Sequence, residues 1–265
     1  MGAEDVVLSI DEVEDDFFYR ISRDGAPRRR IVYVLLKTSS LIPKESRNHG
    51  PSIIQHLSKL NEWGGRWKTL TLSKEGSRLD DFPPHSLSKE HVPEGYKLYD
   101  LFSLQDMKQI KYRTWRFRES ETQCYLKLAR FAFEIETLEQ EIRAYLTLES
   151  FRSTLTPKLL GFAYEETQDR LVGLVIQSVE GRRPTPADLD ICREAVEQLH
   201  QQGIIHGDLN NHNIIICADG VKFIDLEDSY ICCAEHDKSW TRRRVQEMRT
   251  LELRLLSESD VGRPW

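Results

Sequence analysis

Residues 204–229, IIHGDLNNHNIIICADGVKFIDLEDS, constrain the fold more than any other stretch of the chain. The apolar pair Ile204 and Ile205 brings the backbone to His206-Gly207-Asp208, and a short strand over 214–217 follows Asn213. Asp219-Gly220 has the composition of a tight two-residue turn, because Gly and Asp tolerate positive φ. A return strand over 221–224 then ends at Asp225. One hairpin therefore gathers two carboxylates and a carboxamide, with Asp208 and Asn213 before it and Asp225 after it. Any one of these residues could simply cap a turn. The three together supply the hard oxygen ligands that Mg²⁺ takes beside phosphates, and a further carboxylate able to accept the proton of an attacking hydroxyl.

The motif H-R-D-L-x-x-x-N is met at His206, Asp208, Leu209 and Asn213, with Gly207 in the place of Arg, and D-F-G is answered by Asp225-Leu226-Glu227. On these residues the stretch resembles the catalytic and metal-binding loops of the protein-kinase-like superfamily. His-Gly-Asp and the third-place Glu are closer to the aminoglycoside and choline kinases and the compact atypical kinases than to regulated protein kinases; fungal-type kinase-like proteins are a further candidate label. The resemblance implies an α/β (α+β), two-lobed kinase-like fold that uses ATP and Mg²⁺. It implies that Asp208 orients and deprotonates the acceptor hydroxyl and that Asn213 and Asp225 hold the metal, with His206 supporting the loop. Control through a phosphate on an activation loop, which the missing Arg would receive, is not implied.

Composition sets the outer bounds. The chain has 265 residues, 39% hydrophobic, with a formal net charge of −6, so it can bury a sizeable core and carries no overall nucleic-acid footprint. Short basic runs at 28–30 and 242–244 read as solvated faces. The cysteines at 124, 192, 217, 232 and 233 have no C-x-x-C spacing, which suits reduced thiols in the cytoplasm or nucleus. Residues 6–10 are too short and wrongly flanked for a signal peptide, and no run approaches the about 18 apolar residues of a membrane helix.

Residues 1–95 read as an accessory α/β segment without a catalytic motif. Strands over 17–22 and 30–36 flank Asp24-Gly25 and suggest a hairpin, a helix is expected over 52–63 and a strand over 67–72, and the proline-bearing stretch 73–95 reads as a loop or linker. Residues 96–180 are expected to form the N-terminal lobe, with strands over 111–118 and 122–128. By resemblance, Lys127 takes the place of the strand lysine that holds the α- and β-phosphates. On the amphipathic helix over 133–148, Glu141 is chosen as its ion-pair partner, with Glu134 and Glu139 as rivals. No glycine lies between Tyr96 and Lys127, so a turn over 104–109 is the candidate to cover the phosphates in place of a glycine-rich loop.

By resemblance, residues 177–181 correspond to the hinge, where Gln177 and Val179 would meet the adenine edge, with a simple loop as the equal alternative. Thr185-Pro186 opens a helix carrying Leu189, Cys192, Val196 and Leu199 on one face, ended by Gly203. Residues 181–265 form the second lobe; past Glu227 they supply one basic amphipathic helix over 240–256 and no A-P-E element, so this lobe is expected to be minimal. The expected activity is transfer of the ATP γ-phosphoryl group to a hydroxyl of a protein or small molecule, with a binding module lacking turnover, or a kinase fold turned to other chemistry on a metabolite, as the alternatives.

Overall fold

The computed structural model describes residues 5–23, 29–37, 41–232 and 238–256. The N-terminal segment folds into a five-stranded sheet, β1 (Val6–Val13), β2 (Asp16–Arg23), β3 (Arg30–Lys37), β4 (Thr69–Ser73) and β5 (Gly76–Leu79), in that spatial order, with α1 (Gly50–Leu57) between β3 and β4. All neighbours are antiparallel except β3 and β4, the pair that needs a crossover and has α1 to provide it. Alternation assigns the two faces. Tyr19, Ile21, Val32, Val34 and Leu36 pack with Ile53 and Leu57 of α1 and with Trp63 and Trp67, while Phe18, Ile31 and Tyr33 turn the other way, onto Phe131. The turn expected at Asp24-Gly25 lies outside the described residues, but the strands on either side pair as a hairpin.

Two expectations for this region change. The helix starts at Gly50, with Pro51 in its first turn, and stops at Leu57; Leu60 is extended at ψ 138°, and a single 3₁₀ turn, Asn61–Gly64, follows. The 73–95 stretch is no free linker: it contributes β5, buries Leu87 in the main core, and its Leu87 N–H donates to the Leu171 carbonyl at 2.7 Å.

The second sheet comprises β6 (Lys97–Asp100), β7 (Lys108–Lys111), β8 (Thr114–Glu119), β9 (Thr122–Leu128), β10 (Leu159–Tyr164) and β11 (Leu171–Gln177), with α2 (Ile135–Ser150) inserted after β9. Its order is β6-β10-β11-β9-β8-β7, with β6 alone parallel to its neighbour. Cys124 and Leu126 of β9 face one side with Phe117 and Val175. Tyr125 and Lys127 therefore face the other side, toward α2 and the second lobe.

The expected strand over 111–118 is in fact broken. β7 and β8 form a hairpin whose two-residue tip is Tyr112-Arg113, with a register irregularity between Gln109 and Lys111. Neither tip residue has positive φ, so the bulge rather than a glycine adapts the turn to the twist.

The helical part consists of α3 (Leu189–Gln201), the short strands β12 (Ile204–Ile205) and β15 (Tyr230–Ile231), the hairpin β13 (Ile214–Cys217) and β14 (Gly220–Phe223), and α4 (Lys238–Leu256). Cys192, Val196 and Leu199 of α3 join Leu251 and Leu255 of α4 and Leu138, Ile142 and Tyr145 of α2 in one core. The molecule is thus a mixed α+β chain with a sheet lobe and a helical C-terminal part, as the kinase-like fold requires. The β13–β14 turn sits one residue earlier than expected: Cys217 pairs with Gly220, the loop is Ala218-Asp219, and the positive φ, 126°, falls on Gly220.

Candidate functional site

The site assembles where β9, α2 and the segment after β14 meet. Lys127 Nζ lies 2.7 Å from Glu141 Oε2, touches the Asp225 carboxylate, and is 3.4 Å from Glu227 Oε2. Glu141 is the acid of α2 that reaches the lysine because it lies on the buried stripe with Leu138 and Ile142. Its rivals are committed elsewhere: Glu134 caps its own helix entry and holds Arg130, at 2.5 Å, while Glu139 accepts from the Ser88 N–H at 2.6 Å.

The charges respond to this crowding. Burial opposes the Lys127 ammonium, but Glu141, Asp225 and Glu227 outweigh it and raise its pKa. Burial pushes the Glu141 carboxyl up, and Lys127 offsets that only in part. At Asp225 burial also works upward, yet Lys127 holds the carboxyl below the usual carboxylate range. Asp225 itself is held at φ 65°, a left-handed conformation that Asp tolerates better than most residues.

Beside this cluster opens a cavity of about 240 Å³, and Lys127, Glu141, Gln177, Val179 and Asp225 all line it. Tyr125, Ile176, Ile215 and Ile224 make its apolar walls. Gln177 is tied back by its N–H to the Lys158 carbonyl at 2.9 Å, whereas the Val179 peptide makes no backbone hydrogen bond among the described residues. Gly181 follows where the chain must pass close to β13: a Cβ there would lie 2.6 Å from the Ile216 carbonyl oxygen.

Asp208 and Asn213 do not line that cavity; they form a hydrogen-bonded pair next to it. Asn213 Nδ2 donates to Asp208 Oδ2 at 3.1 Å and to the Asp208 carbonyl at 2.9 Å, and Asn210 Nδ2 donates to the same carboxylate at 3.2 Å. The Ile224 N–H donates to the Asn213 carbonyl at 3.0 Å, and buried His206 donates from Nε2 to the Ile224 carbonyl at 3.0 Å. This fastens the loop to the residue preceding Asp225. Burial lowers the His206 pKa, which keeps the ring neutral in this linking position.

Two participants escaped the sequence reading. Arg113, at the β7–β8 tip, donates to Glu227 Oε2 at 3.1 Å and to Thr137 Oγ1 at 3.2 Å, clamping the tip onto α2 and onto the segment of Asp225. Lys111 and Thr114 of the same hairpin line the cavity, so this tip, and not the expected turn at 104–109, covers it; Leu104 and Met107 pack on the opposite face of the sheet. Glu247 of α4 accepts from the N–H groups of His206 at 3.3 Å and Gly207 at 2.9 Å, and bonds His200 Nε2 at 2.7 Å. Its signal in the sequence was an acid in line with Leu251 and Leu255 on the buried stripe of a basic helix.

A hard-ion site needs oxygen donors close together. The carboxylates of Glu141, Asp225 and Glu227 bring oxygens within 4.8 Å of one another around the Lys127 ammonium; Asp225 and Glu227, with the amide of Asn213 on the adjoining loop, are donors of the type that a divalent cation takes beside phosphates.

Residues 170–253 match the RIO domain family, a span that holds residues 177–181, α3, the loop of Asp208 and Asn213, Asp225 and most of α4. The chain is also 29% identical over 109 residues to the KEOPS complex subunit Bud32 of Pyrococcus abyssi (strain GE5 / Orsay), an alignment covering 36% of this chain and 49% of that protein. The chain thus spans about half the length of this curated relative. Together with the lysine–glutamate pair on β9 and α2, these two matches support membership of the protein-kinase-like superfamily.

Proposed function

We propose that the protein is an ATP-dependent phosphotransferase that moves the γ-phosphoryl group to a hydroxyl. The observation that carries this reading is the buried Lys127–Glu141 pair at 2.7 Å, aimed with Asp225 into an apolar-walled cavity. The adenine would lie between Tyr125, Ile176, Ile215 and Ile224, with the Val179 peptide free to meet its edge. Glu141 fixes the rotamer of Lys127, so that the ammonium is already directed at the α- and β-phosphates when nucleotide arrives. Asp225 and Asn213 would hold Mg²⁺, which neutralises phosphate charge when bound; Glu227 and Arg113 border that position. Asp208, oriented by the Asn210 and Asn213 amides, accepts the proton of the acceptor hydroxyl. Positioning and charge neutralisation supply most of the acceleration at such sites. The relative's name describes a complex subunit, and in this reading the acceptor is a hydroxyl of a protein or of a small molecule.

A second reading, a nucleotide-binding module without turnover, draws on the glycine-free β7–β8 tip. Two measurements separate the readings. In a thermal-shift titration, ATP with Mg²⁺ raises the melting temperature of the wild type by mass action on the folded state, and Lys127→Met abolishes the rise. In a γ-phosphoryl release assay the wild type turns over and Asp225→Ala does not. Binding without turnover would leave the module, and absence of any shift at millimolar nucleotide would remove both.

A further inference from the structure

A groove of about 370 Å³ runs along α4 on the side of Gly207, and its lining includes Arg242, Arg243 and Arg254. Arg242, Gln246, Thr250 and Arg254 follow one another at four-residue steps, so they form a single stripe on the helix. Among the described residues the one carboxylate in the lining, Glu247, is buried and turned inward onto His200, His206 and Gly207. The charge that the groove presents to solvent is therefore positive, although the whole chain carries −6. One end of the groove reaches the candidate base: Arg254 Nη1 lies 3.7 Å from Asp208 Oδ1 and donates to the Leu209 carbonyl at 3.2 Å. Arg242 and Arg243 lie twelve and eleven residues earlier on the helix, about 18 Å away at about 1.5 Å per residue.

We infer that this groove binds the phosphoryl acceptor, and that the acceptor is an acidic protein segment whose serine or threonine lies at Asp208 and whose carboxylates lie on Arg242 and Arg243. The inference rests on the proposed phosphotransfer and names its substrate class. The separation of the charges selects a chain over a small alcohol: at about 3.3 Å per residue, an extended segment spans the groove with five or six residues. Guanidinium groups pair with carboxylates in a planar, two-pronged geometry. Among the described residues no aromatic ring lines the groove to stack a base, and the negative charge of the whole chain disfavours a polyanion, so a nucleic acid is the poorer occupant. In the reaction the hydroxyl oxygen bonds to the γ-phosphorus, the bond from that phosphorus to the bridging oxygen breaks with its electron pair going to ADP, and the hydroxyl proton passes to Asp208.

The test uses the full chain and fluorescently labelled decapeptides that carry one serine and, four to six residues away on either side, aspartates or asparagines. Anisotropy should show the aspartate peptide binding about tenfold tighter than the asparagine peptide, a preference that Arg242→Gln/Arg243→Gln removes. The reversed-charge variant Arg242→Glu/Arg243→Glu should instead prefer a lysine peptide, an outcome that misfolding cannot produce. Equal binding of both peptides, a preference that survives the arginine variants, tighter binding of a single-stranded RNA decamer, or full competition by glycerol 3-phosphate each overturns the assignment. ADP–Mg²⁺ binding is measured in parallel: peptide binding through the arginines without nucleotide binding would sink the phosphotransfer reading and leave the groove.

Discussion

At Gly207 the backbone dictates the residue. Its φ is 86°, and a Cβ would lie 2.0 Å from the Asp228 carbonyl oxygen, so the position between His206 and Asp208 cannot carry the Arg of regulated protein kinases while the segment after Asp225 runs this close. Gly220 is a useful control, because its φ of 126° is equally unsuited to a side chain but a Cβ there meets nothing within 4 Å. Gly220→Ala should cost about 1–3 kcal/mol of strain, whereas Gly207→Ala should cost upward of about 4 kcal/mol and abolish nucleotide binding; urea titrations of the two variants check this, and equal losses would refute it. The residues of the site were legible where chemistry and spacing coincide. Lys127, Glu141, Gln177, Val179 and Asp225 converge on one cavity from positions as far apart as 127 and 225. The reason for Gly207 was not legible, since it lies in the approach of Asp228, a contact between loops that no local pattern encodes.

Among the elements, α4 has the least expected role. The sequence marks it as a basic amphipathic helix, yet its buried acid Glu247 organises the loop that presents Asp208, by accepting two backbone N–H groups and pairing with His200. Glu247→Ala leaves those N–H groups and a buried imidazole without an acceptor and should cost about 3–5 kcal/mol. Glu247→Gln, whose amide oxygen can still accept, should lose markedly less in the same denaturation experiment. If the two variants are equally stable, the loop does not depend on this contact. The β7–β8 tip shows the opposite limit of pattern reading. Tyr112-Arg113 contains none of the usual turn residues, so the sequence reads there as a continuous strand and points to 104–109 for the phosphate-covering turn. Periodicity does place α2 and α3 well, because a buried stripe repeats over several turns. A two-residue turn closed by a bulge leaves no such repetition to read.

For the molecule as a whole, the first sheet is built into the second rather than tethered to it. Phe18 packs edge-on against Phe133, with ring centroids 5.3 Å apart, and Arg130, at the entry to α2, bridges Asp11 of β1 and Glu134, each at 2.5 Å. Buried Glu165, after β10, takes Arg20 of β2, Arg170 at 2.8 Å and the Tyr33 hydroxyl at 3.0 Å. His85 completes the joint, donating from Nε2 to the Ala129 carbonyl at 2.9 Å beneath Tyr33. Acid acts on this joint in a definite order. Burial lowers the His85 pKa from 6.5 to about 4, so the unfolded chain binds the proton more readily: the contribution of a neutral His85 is complete above about pH 6.5 and is lost as pH falls toward about 4. At Glu165 burial works upward, but Arg20 and Arg170 hold the carboxyl below its ordinary range; its contribution is complete above the ordinary carboxylate pKa and is lost only as pH falls further, through the lowered value. The interface should therefore loosen before the cores on either side. Hydrogen exchange at pH 5 and 7.5, corrected for intrinsic rates, should show protection lost first in β2, β3 and residues 129–134 while α3 stays protected, and His85→Gln should remove most of the change between the two pH values. Simultaneous loss in α3 would mean that the two sheets and the helical part unfold as one unit. Because the joint grips the entry to the helix that carries Glu141, its loosening should also weaken nucleotide binding at pH 5, well above the pH at which Glu165 itself gives way.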